Sequence, residues 1–222
     1  MVKQWVQELM LEEAGPHGDA VAWAQTRFEN INNENAGTYY NQVIEAIYPQ
    51  PAQRQKYIER LIDGKDPGFA YAVLAKLMTK AAVGPLCNRV LTTNFDDLVA
   101  DALYLFTRLK PLVIPHESLI GFAEISQTER PMVVKLHGDA HLAQRHTADE
   151  VAELGKATEQ MIGRLLAESG LIFIGYGGND EGIVKALSTL PPEALRWGVY
   201  WVNEEIPDSQ LGEWLQERNT IW

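Results

Sequence analysis

Three short apolar runs, each ending in a cluster of polar or glycine residues, restrict the fold of this chain more than any other feature. They are Val90-Leu91-Thr92-Thr93-Asn94-Phe95-Asp96-Asp97-Leu98, Val133-Val134-Lys135-Leu136-His137-Gly138-Asp139 and Leu171-Ile172-Phe173-Ile174-Gly175-Tyr176-Gly177-Gly178-Asn179-Asp180. In the first, a β-rich run over 89–92 stops at a polar quartet, and a helical pattern then places Leu98, Ala102, Leu105 and Phe106 on one face. Strand-length runs that alternate with helical patterns predict parallel strands joined by helical crossovers. In open α/β sheets ligands bind at the carboxyl ends of the strands, so the polar crests are the first place to look for chemistry.

The rest of the chain fits that frame. Val2, Trp5, Val6, Leu9 and Met10 recur at helical spacing, with Gly15-Pro16 as the stop. Asp19 suits the N-cap of a second helix that carries Val21, Ala24, Phe28 and Ile31 and fades into Asn32-Asn33-Glu34-Asn35. A third helix around 39–47 stops before Pro49, and Pro51 suits the first turn of a fourth. That helix turns Tyr57, Ile58, Leu61 and Ile62 inward and ends at Gly64. A fifth runs from about Phe69 to Ala82.

After the first junction, Leu112-Val113-Ile114 reads as a strand ended by Pro115, while 117–125 is open between helix and loop. Pro131 opens the next strand, where its missing amide hydrogen costs least. Thr147-Ala148-Asp149-Glu150 is a capping box for a helical stretch to Glu168, with Gly155 as a possible break. Leu171 to Ile174 is apolar throughout, which predicts a parallel strand buried on both faces. A helix over 181–190, a strand over 199–202, a helix over about 208–217 and a last strand beginning at Thr220 complete the pattern. The expected fold is α/β, a Rossmann-like, mostly parallel sheet with flanking helices and an N-terminal helical segment. Residues 1–84 form the helical segment, an insertion or lid of the same domain, and residues 85–222 form the core.

Charge and cysteine usage narrow the function. A formal net charge of −11 argues against direct nucleic-acid binding, which relies on clustered Lys and Arg. The single cysteine, Cys87, precludes an intramolecular disulfide and points to a reducing cytoplasm. No apolar run approaches the ~18 residues of a membrane span.

Thr-Asn-Phe-Asp-x-Leu at 93–98, Lys-Leu-His-Gly at 135–138 and Ile-Gly-Tyr-Gly-x-x-Asp at 174–180 together resemble the sirtuin-related family. More narrowly, they resemble the SIR2-like, NAD-hydrolysing domains of bacterial anti-phage systems, over roughly residues 85–205. The resemblance implies an NAD glycohydrolase that releases nicotinamide and ADP-ribose and depletes NAD during phage infection, as in abortive infection. It implies NAD as substrate, and Asn94 and His137 as the catalytic pair. Asp96 corresponds to the aspartate that holds the nicotinamide carboxamide, with Thr93 and Phe95 beside it. Gly175, Tyr176, Gly177 and Asp180 would lie along the phosphates or ribose, and Asn203 and Glu204 resemble the segment that touches the adenosine ribose. Such effectors work with Argonaute-type proteins, helicase-like ATPases or fused sensor domains, and some form homo-oligomers.

Those residue types suit that chemistry. The nicotinamide–ribose bond breaks with a neutral leaving group, so placement and exclusion of water matter more than nucleophilic force. An uncharged amide such as Asn94 can hold a ribose hydroxyl or orient water, and a histidine of ordinary pKa near ~6.5 can accept a proton at neutral pH. Each residue also has a plainer use. Asn94 and Asp180 are helix-capping types, His137 suits a satisfied core position, and the glycines suit a simple turn. Asp97, without a counterpart in the family, reads as solvated. His141 and His146 lie near His137, but no metal is expected without cysteines or paired carboxylates.

Two departures stand out. One cysteine cannot build the four-cysteine zinc module of protein-deacylating sirtuins, which leaves a deacylase as the weaker alternative. No Gly-Ala-Gly-x-Ser loop, the family's pyrophosphate cradle, occurs in the chain, and residues 1–13 read as the helix that should follow it. The expectation is a core truncated at both ends, with unpaired edges beside the missing central strand. A catalytically inactive module that binds a nucleotide or ADP-ribose, or serves assembly, is the alternative from a different class.

Overall fold

The computed structural model describes residues 6–7, 10–11, 19–28, 40–79, 87–115, 119, 130–136, 156, 159–178, 180–203 and 205–221. His137 and Glu204 lie outside these residues, as do His141, His146, Gly155, the capping box at 147–150, the polar run at 32–35 and most of 117–125. The chain divides into two compact units, Met1–Arg60 and Leu61–Trp222.

The first unit is helical where described. Helix α1 spans Ala20–Arg27 and α2 spans Tyr40–Ile47. As expected, Asp19 caps α1, its carboxylate accepting from the Ala22 amide at 3.3 Å. Val6, Met10, Ala24, Phe28, Val43 and Ile44 are buried. Helix α3, Pro51–Ile62, begins at its proline, and Gly64 follows it in the left-handed region at φ +65°. Its apolar stripe is only half-buried, with no fully buried residue among those described, which departs from the expected inward face.

The second unit carries the sheets. Helix α4 (Phe69–Thr79) precedes strand β1 (Arg89–Thr92), helix α5 (Leu98–Thr107), β2 (Leu112–Ile114) and β3 (Met132–Lys135). Strand β4 (Leu171–Ile174), helix α6 (Glu181–Ser188), β5 (Val199–Val202) and helix α7 (Gln210–Glu217) follow. Residues 159–166 are also helical. Every strand pair is parallel, as the alternating pattern predicts: one sheet is ordered β1-β3-β2 and the other β4-β5. Ile221 adds an isolated parallel bridge to Tyr200, so the expected last strand is present as a single residue. Strands β1 and β4 are each edge strands among the described residues.

The two-residue period of the strands explains how the three-stranded sheet is covered. Val90, Val113 and Val133 point to one side, where Ala75 and Met78 of α4 and Ala102 and Leu103 of α5 pack against them. Leu91, Leu112, Ile114, Met132 and Val134 point to the other, into a larger core with Phe173, Trp201, Leu211 and Trp214. Helix α5 turns Ala102 and Leu103 inward, whereas Leu105 and Phe106 are 50% and 40% exposed. The expected stripe of Leu98, Ala102, Leu105 and Phe106 is therefore rotated, because packing on α4 selects the Ala102–Leu103 side.

Strand β4 also departs from expectation. Phe173 faces the core, but Ile172 and Ile174 are 52% and 57% exposed. Register pairs these two with Tyr200 and Val202, so one whole face of the β4–β5 sheet is uncovered by the described residues. Beyond α6, Arg218 holds the Pro191-Pro192 bend by donating to the carbonyls of Leu190, Pro191 and Pro192 while lying over the Trp214 ring.

Candidate functional site

The described candidate residues stand at carboxyl strand ends, in two groups. The first is the turn after β1. Thr92 closes the strand, its hydroxyl accepting from the Asn94 amide at 3.0 Å, and the chain then runs without regular structure until α5 begins at Leu98. Asp96 ends that run by accepting from the Leu98 amide at 3.1 Å, an Asx-type turn that satisfies one of the orphan donors at the helix start. Asp97 occupies the N-cap position but makes no side-chain cap bond. Asn94 lies upstream of the cap and is exposed, so capping does not consume its carboxamide.

Two neighbours that were not singled out in the sequence complete this group. Lys135, the last residue of β3, stands beside Thr92 in the register and is 1% exposed. Its ammonium donates to the Phe95 carbonyl at 2.9 Å and pairs with Asp97 at 2.9 Å. Asp97, read from the sequence as merely solvated, is thus half-exposed and ion-paired. From α4, the Tyr71 hydroxyl is pushed above the ordinary tyrosine range by burial and by the Asp96 carboxylate, while a hydrogen bond with the Asn94 side chain works the other way. Asp101, in the first turn of α5, is raised by burial and by the carboxylates of Asp97, Asp66 and Asp96, and lowered by Lys135. The turn is therefore an acidic surface backed by one buried cation.

The second group is built on β4 and β5. Gly175 and Gly178 have φ of +61° and +73°, which only glycine adopts without strain. Among the described residues a Cβ at Gly175 would meet nothing within 4 Å, so a ligand could approach the backbone there, whereas a Cβ at Gly178 would lie 2.7 Å from Leu211 Cδ2. The Gly175 amide donates to Val202, which ties it into the sheet rather than leaving it free for a ligand. Asn203 donates its side-chain amide to the Tyr176 carbonyl at 3.3 Å and so joins the ends of the two strands. Asp180 takes the plainer of its two expected uses, capping α6 by accepting from Ile183 at 3.1 Å.

Tyr176 stacks on Phe173, and its hydroxyl is buried with no hydrogen-bond partner of full geometry among the described residues. Burial, then the Asp180 carboxylate, push this phenol far above the tyrosine range. The Asp180 backbone, close to the phenol oxygen, opposes them. Thr93, Asn94, Phe95 and Asp96 are thus held in one turn, and Gly175, Tyr176, Gly177, Asp180 and Asn203 around another, on a different sheet. Among the described residues no group of three or more His, Cys, Asp or Glu is arranged to hold a metal ion, and no helix is long and apolar enough to cross a membrane.

Comparison with known families places this geometry. Residues 88–220, more than half of the chain, match the family model described as SIR2-like domain. The match takes in the turn after β1 and the residues around the ends of β4 and β5, but not Tyr71. A search of curated proteins finds no match to the chain.

Proposed function

We propose that this chain, which belongs to the SIR2-like domain family, is an NAD glycohydrolase whose reactive groups stand on the turn after β1. The observation that carries the reading is Asn94. It sits at the carboxyl end of a parallel strand inside the family match, and its carboxamide is exposed and unused by the helix cap.

Asn94 would hold a ribose hydroxyl or orient the attacking water, and Asp96 the nicotinamide carboxamide. The open backbone at Gly175, with Tyr176 and Asn203, would receive the rest of the dinucleotide. In the reaction the C1′–nitrogen bond breaks with its electron pair leaving on nicotinamide. A water oxygen bonds to C1′, and the water's proton passes to His137. No zinc enters this scheme. The biological role that follows is depletion of NAD in anti-phage defence, in the cytoplasm, under control of a partner such as an Argonaute-type protein or a helicase-like ATPase, of a fused sensor domain, or of self-association.

Nicotinamide release from NAD by the full chain tests the reading. Asn94→Ala and His137→Ala should each lower the rate by at least about a hundredfold, the usual weight of a positioned polar or proton-accepting group. Turnover that survives both substitutions would overturn the assignment of the pair. The second reading is a silent module for a nucleotide or ADP-ribose, and it draws on the second group, where Asp180 serves as a helix cap and the Gly175 amide is tied into the sheet. Calorimetric binding of ADP-ribose with no loss of NAD would favour it, and release of acyl groups from acyl-lysine peptides would favour a deacylase.

A further inference from the structure

We infer that Lys135 is a positioning residue that sets the path of the Thr93–Asp97 turn, and with it the placement of Asn94 and Asp96. The inference rests on the reading of those two as substrate-facing groups. A lysine exposed by only 1% must have its charge compensated, and the compensation here is specific. The ammonium binds the Phe95 carbonyl and the Asp97 carboxylate, each at 2.9 Å, and these acceptors lie on either side of Asp96. The Asn94-to-Thr92 and Leu98-to-Asp96 bonds each span two residues and shape the turn locally. The lysine instead fixes it to another strand, 40 residues away in sequence from Phe95.

Burial alone would be served better by an apolar side chain. Met132, Val133 and Val134, which precede Lys135 in β3, are all buried and apolar. The alternation of the strand sends Lys135 to the same side as Val133, where α5 and its first turn stand. The two partners are asymmetric, because Asp97 is 46% exposed, so that water can replace the ammonium, whereas Lys135 is 1% exposed. Deleting the cation therefore leaves a hydrated carboxylate and a foldable chain, but an untethered turn.

Lys135→Met, Lys135→Arg and Asp97→Ala, made in the full chain, test this by steady-state nicotinamide release and by the backbone amide NMR shifts of residues 93–97. Lys135→Met should unfold cooperatively and keep KM within about threefold. Its kcat should fall about tenfold to a hundredfold, the scale of a misplacement near one ångström. Lys135→Arg, which keeps charge and donors, should recover most of that loss. A folded Lys135→Met with unchanged kcat and unchanged amide shifts would overturn the inference. If the parent chain releases no nicotinamide, the enzyme reading fails by itself, and the shifts at 93–97 still decide for or against the tether. If Lys135→Met does not fold, Asp97→Ala is read in its place, and no change in the shifts at 93–97 would overturn the inference.

Discussion

Glycine at 178 should be required for two separable reasons, and the structure allows each to be weighed. Its φ of +73° lies in the left-handed region, where a Cβ costs about 1–2 kcal/mol, partly offset by about 0.5–1 kcal/mol because alanine has fewer unfolded conformations to lose. Its Cβ would also lie 2.7 Å from Leu211 Cδ2, and Leu211 is 0% exposed, so the leucine cannot move aside without repacking the core. Overpacking of this kind costs about 1–3 kcal/mol. Gly178→Ala should therefore lose about 2–4 kcal/mol, a large part of the 5–15 kcal/mol usual for a domain. Gly175→Ala is the control: its φ of +61° carries the same backbone cost, but a Cβ meets nothing within 4 Å among the described residues, so it should lose only about 1 kcal/mol. Leu211→Ala alone should cost about 2–5 kcal/mol and, by removing Cδ2, should take away the steric part of the Gly178→Ala penalty. Urea unfolding followed by tryptophan fluorescence, with Trp201 and Trp214 in the core as reporters, measures all four variants. The double variant should be less damaged than the sum of the singles by about 1–3 kcal/mol. Additivity within about 0.5 kcal/mol, or equal losses at 175 and 178, would refute the steric argument.

Other outcomes follow from the buried polar groups. Tyr176→Phe should change stability by less than about 1 kcal/mol near neutral pH, because the lost hydroxyl has no full hydrogen bond to give up among the described residues. The folded phenol ionises only far above its unfolded range, so the parent should lose stability as pH rises past ~10, and alkaline unfolding of the phenylalanine variant should lack that component. Burial pushes the Cys87 thiol up, so maleimide labelling at pH 8 should run at least about tenfold below the rate in denaturant, and a free-thiol rate in the native state would contradict the packing. Asp101→Asn should raise stability at pH 7 by less than about 1 kcal/mol, since burial and three other carboxylates raise its pKa at an exposed position. The folded state then holds the Asp101 proton better than the unfolded state, so the gain should vanish as pH falls toward ~4, and urea titrations at both pH values check it.

Much of the architecture is written in local pattern. Strand limits at 89–92, 112–114, 171–174 and 199–202, the Asp19 cap, the Pro51 helix start and the parallel class can be read from residues within a few positions of one another. Propensity, capping and strand-to-helix alternation act at that range. The crests at 93–97 and 175–180 were legible for the same reason, since an apolar run that ends in polar or glycine residues marks a strand end without reference to the rest of the fold.

What the sequence left open depends on groups far apart along the chain. Asn94 was equally suited to capping a helix, and only the start of α5 at Leu98, with Asp96 bonded to its first amide, shows that the cap lies elsewhere. Lys135 read as part of an apolar strand motif and Asp97 as a solvated neighbour, until the β1–β3 register set one beside the turn that carries the other. The buried stripe of α5 and the exposed face of β4 were misread because periodicity gives the faces of an element but not which face finds a partner. Local sequence determined where the strands end and which residues gather there. Tertiary packing decided which of those side chains are held, by what and on which side, because burial and cross-strand contacts arise only when segments far apart in the chain meet.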